Sequence, residues 1–134
     1  MTNSVSHILT LSCPDQPGIV QGVSTVLLQQ GGNITEAAQY NDPQTGLFFM
    51  RVQFACSQPG PQDLDAALHK LAAEWQMTLE LHQAAQRMPA VFMVSQQGHC
   101  LNDLLFRWKS GLLPIDVRAI ISNHRDFYQL AASY

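Results

Sequence analysis

The stretch Ser12-Cys13-Pro14-Asp15-Gln16-Pro17-Gly18-Ile19-Val20 combines residue types that could hold a small anionic group with a turn that could present them. Gly18 can take backbone angles barred to other residues, so chain or ligand can approach closely there. Pro17 has its ring angle preset for the first turn of a helix and lacks an N–H that would be unpaired there anyway. Asp15 is a candidate cap acceptor for the free N–H groups that follow. A helix start with free N–H groups and a glycine beside it suits a carboxylate. An ordinary capped strand-to-helix connection uses the same residues, so the local pattern leaves both readings open. A second pair, His99 and Cys100, follows Gly98. A histidine can activate a thiol. Neighbours at a helix start seldom align for that task, however, and a loop or cap role is the expectation. Asp103 and Arg107, four apart, form a surface ion pair on the same reading.

The elements that must position these groups follow from apolar spacing. Val5, His7, Leu9 and Leu11 alternate with more polar neighbours and predict a strand. Ile19, Val20, Val23, Val26 and Leu27 mark one face of a helix that Gly31-Gly32 ends. Asn33 to Tyr40 reads as a strand, Asp42-Pro43-Gln44-Thr45-Gly46 as a turn, and Phe48, Met50, Val52, Phe54 and Cys56 as the alternating strand that closes a hairpin. After a break at Pro59-Gly60-Pro61, Leu64, Leu68, Leu71 and Trp75 predict a second helix, and Met77, Leu79 and Leu81 a fourth strand. Residues 1–86 thus follow the split βαββαβ order of a ferredoxin-like α+β sandwich, both helices covering one sheet face. His7 and His82 are expected on the sheet surface or at an interface, and Trp75 and Trp108 as core anchors. From residue 87 onward, Val91 to Val94 is uniformly apolar, as in a parallel strand buried on both faces. Leu101, Leu104, Leu105 and Trp108 follow at helical spacing, and Ile115 to Ile121 is rich in branched residues. Residues 87–134 read as one β-α-β unit that opens a larger sheet.

Composition narrows the functions. Hydrophobic residues make up 46% and charged residues 13%, which describes a core-forming chain. A net charge of −3 with 7 Lys and Arg and no basic block argues against nucleic acid as a partner. No apolar run approaches the roughly 18 residues of a membrane span. Met1 to Ser4 opens no secretory signal. Cys13, Cys56 and Cys100 form an odd, dispersed set, which favours a reducing, cytoplasmic location over a disulfide framework. Neither they nor the five scattered histidines have metal-ligand spacing, so no metal or other cofactor is expected.

Asp15-Gln16-Pro17-Gly18-Ile19-Val20 resembles the ligand loop of ACT domains, small modules that commonly bind amino acids, and Asn33-Ile34 resembles the second element of such a site. Val94-Ser95, Gly98 to Arg107 and Val117 to His124 resemble the formyltetrahydrofolate deformylase family. The resemblance spans essentially all 134 residues in one order, its second half being the more specific. It implies an ACT regulatory domain over 1–86 and the opening part of a Rossmann-like formyltransferase domain over 87–134. It further implies hydrolysis of 10-formyltetrahydrofolate to formate and tetrahydrofolate, with the folate as substrate. An amino-acid effector, glycine or methionine, would bind near Asp15, Gly18, Ile19, Val20, Asn33 and Ile34, in a homo-oligomer. The family's catalytic asparagine, histidine and aspartate lie downstream of the matched region, so no catalytic residue is assigned here. Ser95-Gln96-Gln97-Gly98-His99 stands where related nucleotide transformylases carry a glycine-rich phosphate loop, with Ser95, His99 and Cys100 as candidate residues of the substrate-domain loop. A free-standing ACT-type amino-acid-binding module is the alternative. A nucleotide-directed formyl transferase is disfavoured by the altered loop.

Overall fold

The computed structural model describes residues 4–57 and 62–134. The break at Pro59-Gly60-Pro61 lies outside them. The chain divides into two compact units, Met1–Gln86 and Arg87–Tyr134.

In the first unit the elements run β1 (Ser4–Pro14), α1 (Ile19–Gln29), β2 (Gly32–Asp42), β3 (Leu47–Ser57), α2 (Gln62–Trp75) and β4 (Thr78–Gln83). The strands form one antiparallel sheet in the order β2-β3-β1-β4, the ferredoxin-like arrangement expected. Period-two alternation decides its faces. Leu9, Leu11 and Cys13 of β1 and Phe48, Met50, Val52, Phe54 and Cys56 of β3 share a core with Ile19, Val23 and Leu27 of α1 and Leu64, Leu68 and Leu71 of α2. The intervening Ser6, Ile8, Thr10, Phe49, Arg51 and Gln53 lie on the opposite face.

His7 departs from expectation. It is buried at 7% exposure, and its ring stacks on Phe54 at 5.5 Å while Nδ1 lies 3.2 Å from the Val5 carbonyl oxygen. It shares the inward period of Leu9 and Leu11, and that phase outweighs its polarity. His82, on the other phase of β4, is exposed and lies 3.2 Å from Glu80.

β2 is an outer strand, and its register on β3 slips between Ile34 and Glu36, where the Thr35 hydroxyl donates to the Gln53 carbonyl at 3.1 Å. The slip keeps both Ile34 and Ala37 opposite inward residues, Phe54 and Val52. Gly31, at φ 73°, makes the left-handed turn that ends α1.

The second unit comprises β5 (Met88–Val94), α3 (His99–Lys109), β6 (Ile115–Ser122) and the five-residue α4 (Tyr128–Ala132), which the sequence reading did not anticipate. β5 and β6 pair in parallel, as a helical crossover requires. Leu101 and Leu105 of α3 are fully buried, and the Asp103–Arg107 ion pair forms at 2.8 Å. Burial of Val91 to Val94 on both faces is not what the structure shows. Phe92 and Val94 are half-buried, whereas Val91 is 49% and Met93 82% exposed. A uniformly apolar run reports what a strand can tolerate; which face is covered depends on the elements packed over it.

Candidate functional site

The turn between β1 and α1 is held from the hairpin rather than from the helix. The Asp15 N–H donates to the Gly46 carbonyl at 2.9 Å, and an Asp15 carboxylate oxygen accepts from the Asn41 side-chain amide at 2.9 Å. Asp15 therefore does not cap α1, contrary to the sequence reading. Gly18 is the N-cap, at φ 94° and ψ −3°, with no side-chain acceptor on the helix start, and its carbonyl receives the first helical bond from Gly22. Pro17 precedes that cap and stands outside the first helical turn. The left-handed angle at Gly18 explains both shifts. It turns the chain sharply into the helix, leaving Asp15 three residues upstream beside β2.

The result is a helix start without a protein cap beside an already satisfied carboxylate. Ile19 is 2% exposed and belongs to the core, so only its backbone can serve a ligand, whereas Val20 is 41% exposed. Cys13, just upstream, points into the core. Burial raises its thiol pKa above the ordinary 9.0, and the charge of Asp15 adds to the effect, so it stays a neutral thiol.

The neighbouring turn is rigid for a nameable reason. Asp42 accepts from the Gln44 N–H at 3.0 Å and the Thr45 hydroxyl at 2.6 Å, and its carbonyl accepts from the Gly46 N–H at 2.9 Å. The hydroxyl first, then the amide, hold the Asp42 carboxyl below the ordinary 3.8. A depressed carboxylate stabilises the fold above its unfolded value, and that contribution is lost as pH falls through the lower folded value. In an acid titration the Gln44 and Gly46 amide signals should therefore move below pH 3.8. Asp42→Ala should abolish that transition; amide signals that move instead in the ordinary carboxylate range would refute the assignment.

Asn33 and Ile34 lie elsewhere. Asn33 faces Ala55, which faces Ser6, near the beginning of β1, while Asp42 faces Leu47, which faces Pro14 at its end. At about 3.3 Å per residue along β3, the two ends are roughly 26 Å apart. Within one chain the structure does not bring Asn33 and Ile34 to Asp15, Gly18 and Val20.

In the second unit, two cavities open where the parallel strands end, the usual place for ligands in such sheets. One, of about 440 Å³, is lined by Ser95, Ser122 and Asn123 with Met93, Val94 and Ile121. The other, of about 360 Å³, takes in Ser95, Gln97 and Cys100 among apolar residues. Ser95 and Cys100 are thus brought to one cavity. His99 opens α3 and is exposed; one residue from Cys100, its side chain leaves the helix about 100° away around the axis. The nucleophile-base pairing does not form. Gly98 adopts φ −97°, open to any residue, yet a Cβ there would fall 2.1 Å from the Phe127 ring. Glycine is needed for space alone. Among the described residues no cluster of three His, Cys, Asp or Glu could hold a metal ion, and no helix is long and apolar enough to cross a membrane.

Sequence reasoning missed Asn41 and Phe127. Asn41 precedes a recognisable Asp-Pro turn, but nothing local points it at Asp15; Phe127 carried no signal.

The ACT-domain family model matches residues 7–73, half of the chain, from β1 through most of α2. The chain belongs to the ACT-domain family. It is also homologous beyond that domain. It is 39% identical over 125 residues to the formyltetrahydrofolate deformylase of Bacillus subtilis, covering 91% of this chain and 42% of that one. To the formyltetrahydrofolate deformylase of a Corynebacterium species it is 41% identical over 137 residues, covering 100% of this chain and 48% of that one. The crystal structure of a formyltetrahydrofolate deformylase from Pseudomonas putida superposes with a TM-score of 0.84 at 38% identity, over 96% of this chain and 46% of that one. The chain spans about half the length of the curated relatives it matches, and corresponds to their N-terminal part.

Proposed function

We propose that this ACT-domain chain is the N-terminal portion of a formyltetrahydrofolate deformylase, a hydrolase that converts 10-formyltetrahydrofolate to formate and tetrahydrofolate in the cytoplasm. The observation that carries the reading is the continuous similarity to deformylases across both units, including the parallel β5-α3-β6 unit. A free-standing ACT regulator would have no use for that unit.

In this reading residues 1–86 sense an amino acid, glycine or methionine, and residues 87–134 contribute the Ser95–Cys100 loop to the folate-binding domain. The effector carboxylate faces the uncapped N–H groups that follow Gly18, where the helix dipole favours an anion. Asn33 and Ile34 join the same site only across a second copy. β2 is an outer strand, and two β2 strands paired antiparallel about their midpoints would set one copy's Asn33 beside the Asn41–Asp42 end of the other's β2. Homo-oligomer and effector site are then one hypothesis.

Glycine or methionine at millimolar concentration should raise the melting temperature of the first unit by mass action and shift the sedimenting species toward a dimer. Asn33→Ala should weaken the effect although it lies far from Gly18 in its own chain. If neither amino acid changes melting or sedimentation, the sensing role fails; if both act while Asn33→Ala behaves as wild type, the site assignment fails.

A further inference from the structure

Trp75, the last residue of α2, borders the start of α1. A Cβ placed on Gly18 would lie 3.2 Å from Cη2 and 4.0 Å from Cζ3 of its ring, and one on Gly22 would lie 3.8 Å from Cζ2. The six-membered ring therefore runs along the first turn of α1, and Leu71, one turn earlier, lies 3.5 Å from where a Cβ on Gly22 would stand. The indole packs against the core yet is only partly buried, so part of its surface remains open to solvent.

The residue after it is strained. Gln76 has φ 54°, the one positive value among the non-glycine residues described. Such angles persist where the surroundings over-determine them. Here Trp75 is docked on α1 on one side. On the other, Met77 is 9% exposed in the core and donates its N–H to the Ala72 carbonyl at 2.8 Å. The end of α2 is thus fixed between the first turn of α1 and the start of β4.

We infer that Trp75 is a positioning residue of the effector site: its ring, seated on Gly18 and Gly22, sets the backbone of the Pro17–Val20 turn and transmits displacement of that turn to α2 and β4. The inference rests on the amino-acid-sensing reading above. It adds a residue from an element that the ligand-loop pattern does not include. An indole whose edge lies against the N-cap glycine shares that glycine with any group seated on the N–H groups that follow it.

The chain has 2 tryptophans, so Trp108→Phe in the second unit leaves Trp75 as the sole indole. Titrating that variant with glycine, and separately with methionine, should shift the tryptophan emission with the same midpoint as the rise in melting temperature. Trp75→Phe should weaken the effector by about tenfold or more while far-ultraviolet circular dichroism stays native. A melting-temperature rise with flat emission in Trp108→Phe overturns the inference and leaves the sensing reading standing. An unchanged effector midpoint in Trp75→Phe does the same. No melting-temperature response to either amino acid overturns both. The emission arm keeps Trp75 itself, so it decides the matter even where Trp75→Phe fails to fold.

Discussion

Purified 134-residue chain mixed with 10-formyltetrahydrofolate should release formate no faster than buffer does. Water attack on a formyl carbon needs a general base within hydrogen-bond reach and donors aimed at the developing oxyanion. The two cavities at the ends of β5 and β6 are lined by hydroxyl, amide and apolar groups, and their one titratable side chain is Cys100. Neither a carboxylate nor an imidazole lines them. Hydroxyls and amides can orient a folate, but they are poor proton acceptors at neutral pH. Enzymes exceed uncatalysed rates by roughly a millionfold or more, so the contrast between a working and a silent site is easily measured. Continuous assay of formate, with a complete deformylase as positive control, would settle the point. Turnover that survives Ser95→Ala and Cys100→Ala would place chemistry in this chain outside both cavities, and any turnover would refute the expectation.

The second large effect is structural. Phe54→Ala should lower the melting temperature of the first unit by roughly 15–30 °C. Phe54 is fully buried, stacks on His7 at 5.5 Å, and stands in register between His7 of β1 and Ile34 of β2. Its ring would lie 3.2 Å from a Cβ on Gly32, so it also supports the turn that returns the chain from α1 to β2. Truncating a buried phenylalanine costs about 3–5 kcal/mol, and each kcal/mol is worth about 4–8 °C in a unit of this size. A fall below about 5 °C in thermal circular dichroism would mean that the surrounding strands close the cavity. It would remove His7 and Phe54 from the centre of the core.

The fold of the first unit was legible because its signals are local and agree. Ile19, Val23 and Leu27 repeat at helical spacing, Leu9 and Leu11 alternate, and Gly31 stands where a helix must turn left-handed. The same rules placed β5, α3 and β6, since leucine spacing in α3 and branched residues in β6 need no distant partner to be read. His7 shows the limit of reading by residue type: its phase along β1 sends it inward, and a neighbouring ring makes burial tolerable.

What the sequence alone determined was the order of the strands and the three longer helices, the apolar core-facing residues of the first unit and the kinship of its motifs. The tertiary structure decided which motifs meet. Asp15 and Gly18 stand near Asn33 and Ile34 in the chain, but α1 runs about 16 Å back along the sheet before β2 begins, and that return separates the two halves of the candidate site. Asp15 is satisfied by Asn41, 26 residues away, because strand register brings the end of β2 and the end of β1 to the same end of the sheet, on either side of the start of β3. Trp75 reaches Gly18 because α1 and α2 share a core, and Phe127 reaches Gly98 because β6 delivers the chain back to the start of α3. Spacing rules read one element at a time. Register and helix packing are collective, fixed only when all the buried faces close together, and they assign each side chain its neighbours.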